Sequence, residues 1–197
     1  MSTQHIPIDN ITEADLSRLV EERISESKTL EFKEAIEVAT DFQKQEFLSD
    51  VTALANSDGG DILLGIRATD GIATALIGLR KCVPDSLINQ LENLLRDSVQ
   101  PRLAGVGMIA VTLSNGNPVL VLRIPRSWTA PHMVRHGGVT RFCGRNSGGK
   151  YDLDVHQVRA AFLASEGIAD RLKNFRLERV NRLISGTVPV VDRKSVV

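Results

Sequence analysis

The sequence has few cysteines and no net charge, and both absences exclude classes of protein. Its 197 residues include only two cysteines, Cys82 and Cys143, and neither belongs to a Cys-x-x-Cys pair. This spacing argues against a zinc site and a disulfide framework, and it predicts a cytoplasmic protein. Lysine plus arginine and aspartate plus glutamate each number 24. No global basic field therefore attracts nucleic acid, and a polyanion site would need local segregation of charge.

Long apolar runs and the common catalytic motifs are also missing. No stretch approaches the ~18 consecutive apolar residues of a membrane span, and the polar N-terminus has no signal-peptide core, so we expect no membrane partner. Neither G-x-S-x-G nor H-E-x-x-H occurs, and the glycine pair after Asp58 lacks the G-K-[ST] ending of a P-loop. Hydrophobic residues at 42% and charged residues at 24% are typical of a globular domain.

Hydrophobic periodicity predicts an α/β fold of the α+β type, with a mixed or largely antiparallel sheet of hairpins covered by helices and a helical C-terminal extension. Helices are expected at 12–25, at 41–57, after Pro84, and in two patterns after Asp154 that break near Gly167. Strands are expected at TLEFKEA, 61–66 and 73–78, and in hairpins at 106–124 and 131–150. The predicted division is 1–25, 26–165 and 166–197, with residues 186–197 frayed.

The triplet Glu31-x-Lys33 is the first candidate site. In a strand, residues two apart share a face, so a carboxylate and an ammonium would stand side by side. A carboxylate that binds a divalent ion, beside a lysine that stabilises developing negative charge, suits phosphodiester hydrolysis. Glu26 lies just upstream, and further acidic candidates are Asp58, Asp61 and Asp70. The alternative is an ion pair on an edge strand that discourages aggregation, and spacing alone leaves both interpretations open.

Two further stretches suggest contacts with phosphate. The pair Gly59-Gly60 could present backbone amides to an anion, or it could simply end a helix and begin a buried strand. The segment 131–150 has no acidic residue, and its basic side chains and histidines are His132, Arg135, His136, Arg141, Arg145 and Lys150. A hairpin of this composition could follow a phosphate backbone, or it could be a solvated hairpin. Phe142 is expected on the face opposite Arg141 and Cys143.

The order of these motifs resembles the Schlafen AlbA-type domain. The resemblance lies in E-S-K-T-L-E-F-K, then A-L-A-N-S-D-G-G-D-I-L-L-G-I, then a strand ending at Gly78, and it covers about residues 22 to 150. The stretch R-N-S-G-G-K-Y-D-L-D-V-H-Q-V-R-A-A-F is similar to the end of the domain in bacterial members. This domain is assigned to DNA binding in bacterial proteins and forms the nuclease core of animal Schlafens. Bacterial relatives often continue further, so we expect a short form or a fragment.

The resemblance implies a set of site residues. Schlafen nucleases are similar to metal-dependent RNases that cut tRNA and rRNA, and their two glutamates correspond to Glu26 and Glu31. Their third acid, an aspartate, is replaced here by Arg67, and Asp70 is the nearest substitute. The resemblance thus implies Mg²⁺ or Mn²⁺ held by Glu26, Glu31 and Asp70, with Lys33 as a further catalytic residue. The predicted nucleic-acid contacts are Arg67, Arg135, Arg141, Arg145 and Lys150.

Three hypotheses follow from the sequence. The first is a divalent-metal-dependent endoribonuclease on structured RNA such as tRNA, in which removing either glutamate abolishes cutting and leaves the fold intact. The second is a non-catalytic DNA-binding regulatory module, favoured by Arg67 because a guanidinium repels a metal ion and suits a phosphate. The third is an interaction domain that dimerises through its C-terminal helices. A homodimer is expected because the animal core joins two lobes, and the choice between RNA and DNA stays open.

Overall fold

The computed structural model describes residues 3–184, apart from the side chains of residues 168–173. The four α-helices are α1 (Glu13–Glu21), α2 (Asp41–Ala55), α3 (Pro84–Ser98) and α4 (Val155–Ile184). The first five strands are β1 (Leu30–Lys33), β2 (Gly59–Leu64), β3 (Ile66–Thr69), β4 (Ile72–Leu76) and β5 (Val99–Gln100). The other five are β6 (Gly107–Thr112), β7 (Pro118–Pro125), β8 (Met133–His136), β9 (Val139–Asn146) and β10 (Gly149–Asp152).

The strands form three sheets. A central sheet has the order β1-β2-β7-β6, a second sheet has the order β10-β9-β8-β5, and β3 and β4 form a two-stranded hairpin. Strand β1 runs parallel to β2, whereas β7 runs antiparallel to both of its neighbours, β2 and β6. The predicted α+β fold with a mixed sheet of hairpins is confirmed.

Helix α2 lies between the central sheet and the second sheet. It contacts β2 and β7 on one side and β8 and β9 on the other. Leu48, Val51 and Leu54 are fully buried in a core that they share with Ile62 and Leu122. A helix covered on both sides is apolar around most of its circumference, and nearly every residue of α2 from Gln45 onward is buried.

A second core fills the opposite face of the central sheet, beneath α1. Leu30 and Phe32 of β1 belong to this core, together with Leu16 and Leu63. Because side chains alternate along a strand, Glu31 and Lys33 point to the other face, towards α2. The predicted same-face arrangement of these two residues is confirmed by their direct contact.

The structure corrects two sequence predictions. Helix α4 is continuous through Gly167, so the predicted break is wrong: one glycine weakens a helix interior by about 1 kcal/mol and does not end it. The predicted strand 61–66 is divided at Gly65, whose φ of +109° turns the chain between β2 and β3. Residues 186–197 lie outside the described part of the chain. Among the described helices, none has the length and hydropathy required to cross a membrane.

Candidate functional site

The carboxylate of Glu31 lies between two cations. Arg145 Nη2 is 2.6 Å from one oxygen, and Lys33 Nζ is 2.9 Å from the other. Only 4% of the Arg145 side chain is exposed, and its guanidinium also donates to the carbonyl oxygens of Ser27 and Leu30. This arginine was predicted to contact phosphate, whereas the structure places it inside the protein.

The ion pairs continue from β1 onto α2 and β10. The carboxylate of Asp50 is 3.3 Å from Lys33 Nζ and 2.9 Å from Lys150 Nζ, and Lys150 is also 3.0 Å from Glu46. We call this set the ion-pair network; it consists of Arg145, Glu31, Lys33, Asp50, Lys150 and Glu46. Glu46 and Asp50 were not among the residues predicted for the site, although two acids four residues apart in an otherwise largely apolar stretch were a signal.

The pKa shifts follow from burial and from these charges. Burial alone would raise the pKa of Glu31, but hydrogen bonds and charges from Lys33 and Arg145 outweigh it and lower the pKa. Burial likewise opposes charge on Lys33 and Lys150, but nearby carboxylates together outweigh it and raise both pKa values: Asp50 and Glu31 act on Lys33, and Asp50 and Glu46 act on Lys150. Glu26 behaves differently: burial and then the negative charge of Glu31 raise its pKa. The surroundings thus favour the charged forms of Glu31, Lys33 and Lys150, whereas the raised pKa of Glu26 favours its protonated form.

The carboxylates of the two predicted glutamate ligands have protein partners in this arrangement. Both oxygens of Glu31 are held by cations, and Glu26 accepts the backbone N–H of Phe32 at 3.1 Å. Glu26 also lies against Gly71 in the β3–β4 turn, next to Asp70. In residues 3–184, leaving aside the side chains of 168–173, no group of three or more His, Cys, Asp or Glu side chains is placed to hold a metal. The metal site predicted from the resemblance therefore stays a prediction.

Arg67, in β3, lines an open cleft of about 620 Å³. Its guanidinium makes two 2.8 Å hydrogen bonds to Glu34, and about half of its side chain is exposed. Arg80 and Lys81, from the loop before α3, line the same cleft. Three cations and one acid give the lining a net charge of +2, in a chain whose net charge is zero. We call this feature the cationic cleft.

The basic hairpin predicted at 131–150 does not form one cationic surface. Arg135 is paired with Thr140, and Arg141 with Val134, so the two arginines point to opposite faces of the second sheet. Phe142 lies on the face opposite Arg141, as predicted, and its ring centroid is 6.0 Å from that of Phe162 in α4. The cationic side chains of this segment are thus distributed over both faces of the second sheet, with Arg145 buried in the interior.

The remaining candidates have structural partners. Asp58 pairs with Lys28 and Asp61 with Arg123. His132 is fully buried, with its ring nitrogens 2.7 Å from the carbonyl oxygen of Pro101 and 2.6 Å from the hydroxyl of Ser127. At Gly60, a Cβ atom would clash with the backbone of Thr29. This close approach of two backbones favours the interpretation that the glycine pair ends a helix and begins a buried strand, and it does not require a bound anion.

Comparison with known proteins identifies the family. A family model described as Schlafen, AlbA_2 matches residues 26–154. The N-terminal domain of an ATP-dependent DNA helicase RecG-related protein from Nitrosomonas europaea is 24% identical with a TM-score of 0.43, and the match covers 56% of this chain and 72% of that one. The DIP2311 protein from Corynebacterium diphtheriae is 15% identical with a TM-score of 0.48, and the match covers 72% of this chain and 26% of that one. No curated protein matches. The family model covers well over half of the sequence, and the chain belongs to the Schlafen AlbA_2 family.

Proposed function

We propose that this domain binds nucleic acid through the cationic cleft and does so without a catalytic metal. Membership of the Schlafen AlbA_2 family supports a nucleic-acid-related function. The observation that carries the proposal is the local charge: Arg67, Arg80 and Lys81 line one open cleft that contains a single acid. Clustered cations of this kind are the electrostatic signature of a phosphate-binding surface.

The pairing of Arg67 with Glu34 is compatible with this role. Both side chains are about half exposed, so water solvates the pair and its contribution to stability is small. A phosphate can replace the Glu34 carboxylate with the same two-pronged geometry, because a guanidinium presents parallel N–H groups to either anion. The hypothesis of a non-catalytic DNA-binding module likewise assigned Arg67 to a phosphate contact.

Removing the two cations of the α3 loop is expected to weaken binding. With about 1 kcal/mol lost for each solvent-exposed ion pair with phosphate, the Arg80→Ala/Lys81→Ala variant should bind labelled RNA or DNA roughly 30-fold more weakly. Fluorescence anisotropy measures this. Arg96→Ala/Arg102→Ala removes two exposed cations that line a different cavity, and should leave the affinity within about twofold. Equal losses in the two variants would contradict a binding site in the cleft.

A metal-dependent endoribonuclease acting on tRNA, with Mg²⁺ or Mn²⁺, is the second candidate. One observation favours it: the charge of Glu31 raises the pKa of Glu26, so the two carboxylates are close enough to interact, and Lys33 is adjacent. The test is incubation of the protein with total tRNA and either metal, beside EDTA and Glu26→Gln, which retains an oxygen for the Phe32 N–H. Cleavage that EDTA and this variant abolish would establish the nuclease, whereas intact RNA would leave the binding function.

We also propose that the chain forms a homodimer in which α4 pairs with α4 of a second copy. Leu177, Val180 and Ile184 recur at intervals of three and four residues, and about half or more of each side chain is exposed. This spacing places them on one side of the helix, which suits pairing with an equivalent helix. Sedimentation equilibrium would show a dimer, and a monomer at all concentrations would exclude it.

A further inference from the structure

We infer that a second cavity, next to the cationic cleft, takes one unpaired nucleobase, so that the domain selects single-stranded nucleic acid. This inference rests on the proposed function and deepens it. The cavity lies between the segment that follows β1 and the start of α2, and has a volume of about 380 Å³. That volume is at the low end for small-molecule sites and suits a single flat ring system.

The two cavities share a wall. Ala35 and Ile36 line both of them, so the chain between β1 and α2 separates the cationic cleft from the second cavity. A strand of nucleic acid whose phosphates lie in the cleft could turn one base across this wall. In a duplex every base is paired and stacked, and placing one there would require unpairing it.

The charges of the two cavities differ in sign: the cationic cleft suits a phosphate, and the second cavity suits an uncharged base. The second cavity is lined by Lys33 and by three carboxylates, so its lining carries a net charge of −2. Phosphate is repelled by such a surface, whereas an uncharged base is not. The lining also includes three buried apolar side chains, which offer the base an apolar contact surface: Phe47, Ile62 and Leu64.

An aromatic ring stands at the cavity, and acceptors line it. Phe42, in the first turn of α2, is 70% exposed, and large exposed aromatic rings on nucleic-acid-binding proteins serve as stacking platforms for bases. The carboxylate of Glu37 accepts a hydrogen bond from Gln43 through one oxygen, and a carboxylate offers only acceptors. Adenine, cytosine and guanine carry an exocyclic amino group that can donate to it, whereas thymine and uracil offer only the ring N3–H between two carbonyl oxygens, which the carboxylate would repel.

The test compares single-stranded and duplex DNA in wild-type protein and in Phe42→Ala. Labelled oligo(dA), oligo(dT) and the oligo(dA)·oligo(dT) duplex are titrated at fixed salt. We expect Phe42→Ala to weaken oligo(dA) binding roughly tenfold and leave duplex binding unchanged, and we expect wild-type protein to prefer oligo(dA) to oligo(dT). Phe42→Tyr should retain the wild-type affinity. Trp128→Ala, at a 68% exposed position outside both cavities, is the matched control and should have no effect.

The outcomes separate this inference from the proposed function. If Phe42→Ala binds oligo(dA) as wild type does, or weakens duplex and single strand equally, the base site is excluded while cleft binding stands. If wild-type protein binds none of the three probes, or Arg80→Ala/Lys81→Ala has no effect on them, the proposed function itself fails. Because Phe42 is largely exposed, its removal is not expected to unfold the domain, and circular dichroism of the variant checks this.

Discussion

Replacing Glu31 with alanine is expected to lower the free energy of unfolding by about 3–5 kcal/mol, because it leaves a buried guanidinium without a counter-charge. The Arg145 side chain is 4% exposed, and Glu31 is its carboxylate partner at 2.6 Å. The carbonyl oxygens of Ser27 and Leu30 would remain as acceptors, but they carry no net charge. Urea denaturation followed by circular dichroism measures the loss.

The matched control for this variant is Glu34→Ala. Glu34 also pairs with an arginine, Arg67, but both side chains are about half exposed. Its removal should leave the denaturation midpoint nearly unchanged, because water replaces the lost partner. The two variants remove the same charge from neighbouring positions and differ in the burial of the arginine. Equal midpoints for Glu31→Ala and the wild type would mean that the ion-pair network does not stabilise the fold.

The pH dependence of this effect has a definite sign. The folded protein lowers the pKa of Glu31 below its ordinary value of about 4.5, so the carboxylate binds its proton more weakly when the protein is folded. The stability that Glu31 contributes is therefore present above that value and is lost as the pH falls through the lowered pKa. The difference between wild type and Glu31→Ala should shrink in acid.

This expectation changes how the nuclease hypothesis must be tested. The sequence suggested that either glutamate could be removed with the fold intact, but Glu31 holds Arg145 of β9 against β1. Lost activity in Glu31→Ala would therefore not distinguish a missing metal ligand from a damaged fold. Glu26 has no salt bridge among the described residues, and its glutamine variant is the cleaner probe of catalysis.

Arg123→Ala is the second substitution with a large expected effect, again about 3–5 kcal/mol. Asp61 is fully buried, and Arg123 donates to both of its oxygens at 2.9 Å. Arg123 also donates to the carbonyl oxygens of Thr3 and Ile6, and the Thr3 hydroxyl donates to Asp61. Of the described side chains bonded to Asp61, the variant would leave the Thr3 hydroxyl, which does not neutralise the buried carboxylate, and it would release the N-terminal segment from Arg123.

Two comparisons test the reason for this loss. Arg96→Ala removes an arginine whose partner, Asp97, is exposed, and should change the denaturation midpoint little. Adding Asp61→Asn to Arg123→Ala removes the unpaired charge and should recover part of the lost stability. A loss below about 1 kcal/mol in Arg123→Ala, or no recovery in the double variant, would contradict a buried charge as the cause.

Local patterns in the sequence predicted the fold and one part of the site. Alternation along β1 placed Glu31 and Lys33 on one face and Phe32 on the other, and the structure confirms this. Helical periodicity likewise located α2 to within two residues, and the proline signal located the start of α3 at Pro84. These features depend on neighbours in sequence, so a pattern of few residues is sufficient to reveal them.

The rest of the site depends on contacts between distant segments. Glu31 and Arg145 are 114 positions apart and meet because β9 packs against α2 beside β1, which no local pattern encodes. The cationic cleft is assembled from β3, the loop before α3 and the segment after β1, so Arg80 and Lys81 gave no motif in the sequence. The basic run at 131–150 predicted one cationic surface, but neighbouring residues in a strand point to opposite faces, so closeness in sequence did not bring these side chains together.

The salt dependence of nucleic-acid binding tests the central claim most directly. Affinity for a labelled RNA or DNA is measured between about 50 and 200 mM salt, in EDTA and in Mg²⁺, for wild-type protein and Arg80→Ala/Lys81→Ala. The proposal predicts that log affinity falls linearly with log salt, that the slope is about two units smaller in the variant, and that EDTA leaves wild-type binding unchanged. Identical slopes in the two proteins, or binding that EDTA abolishes, would contradict metal-independent binding in the cationic cleft.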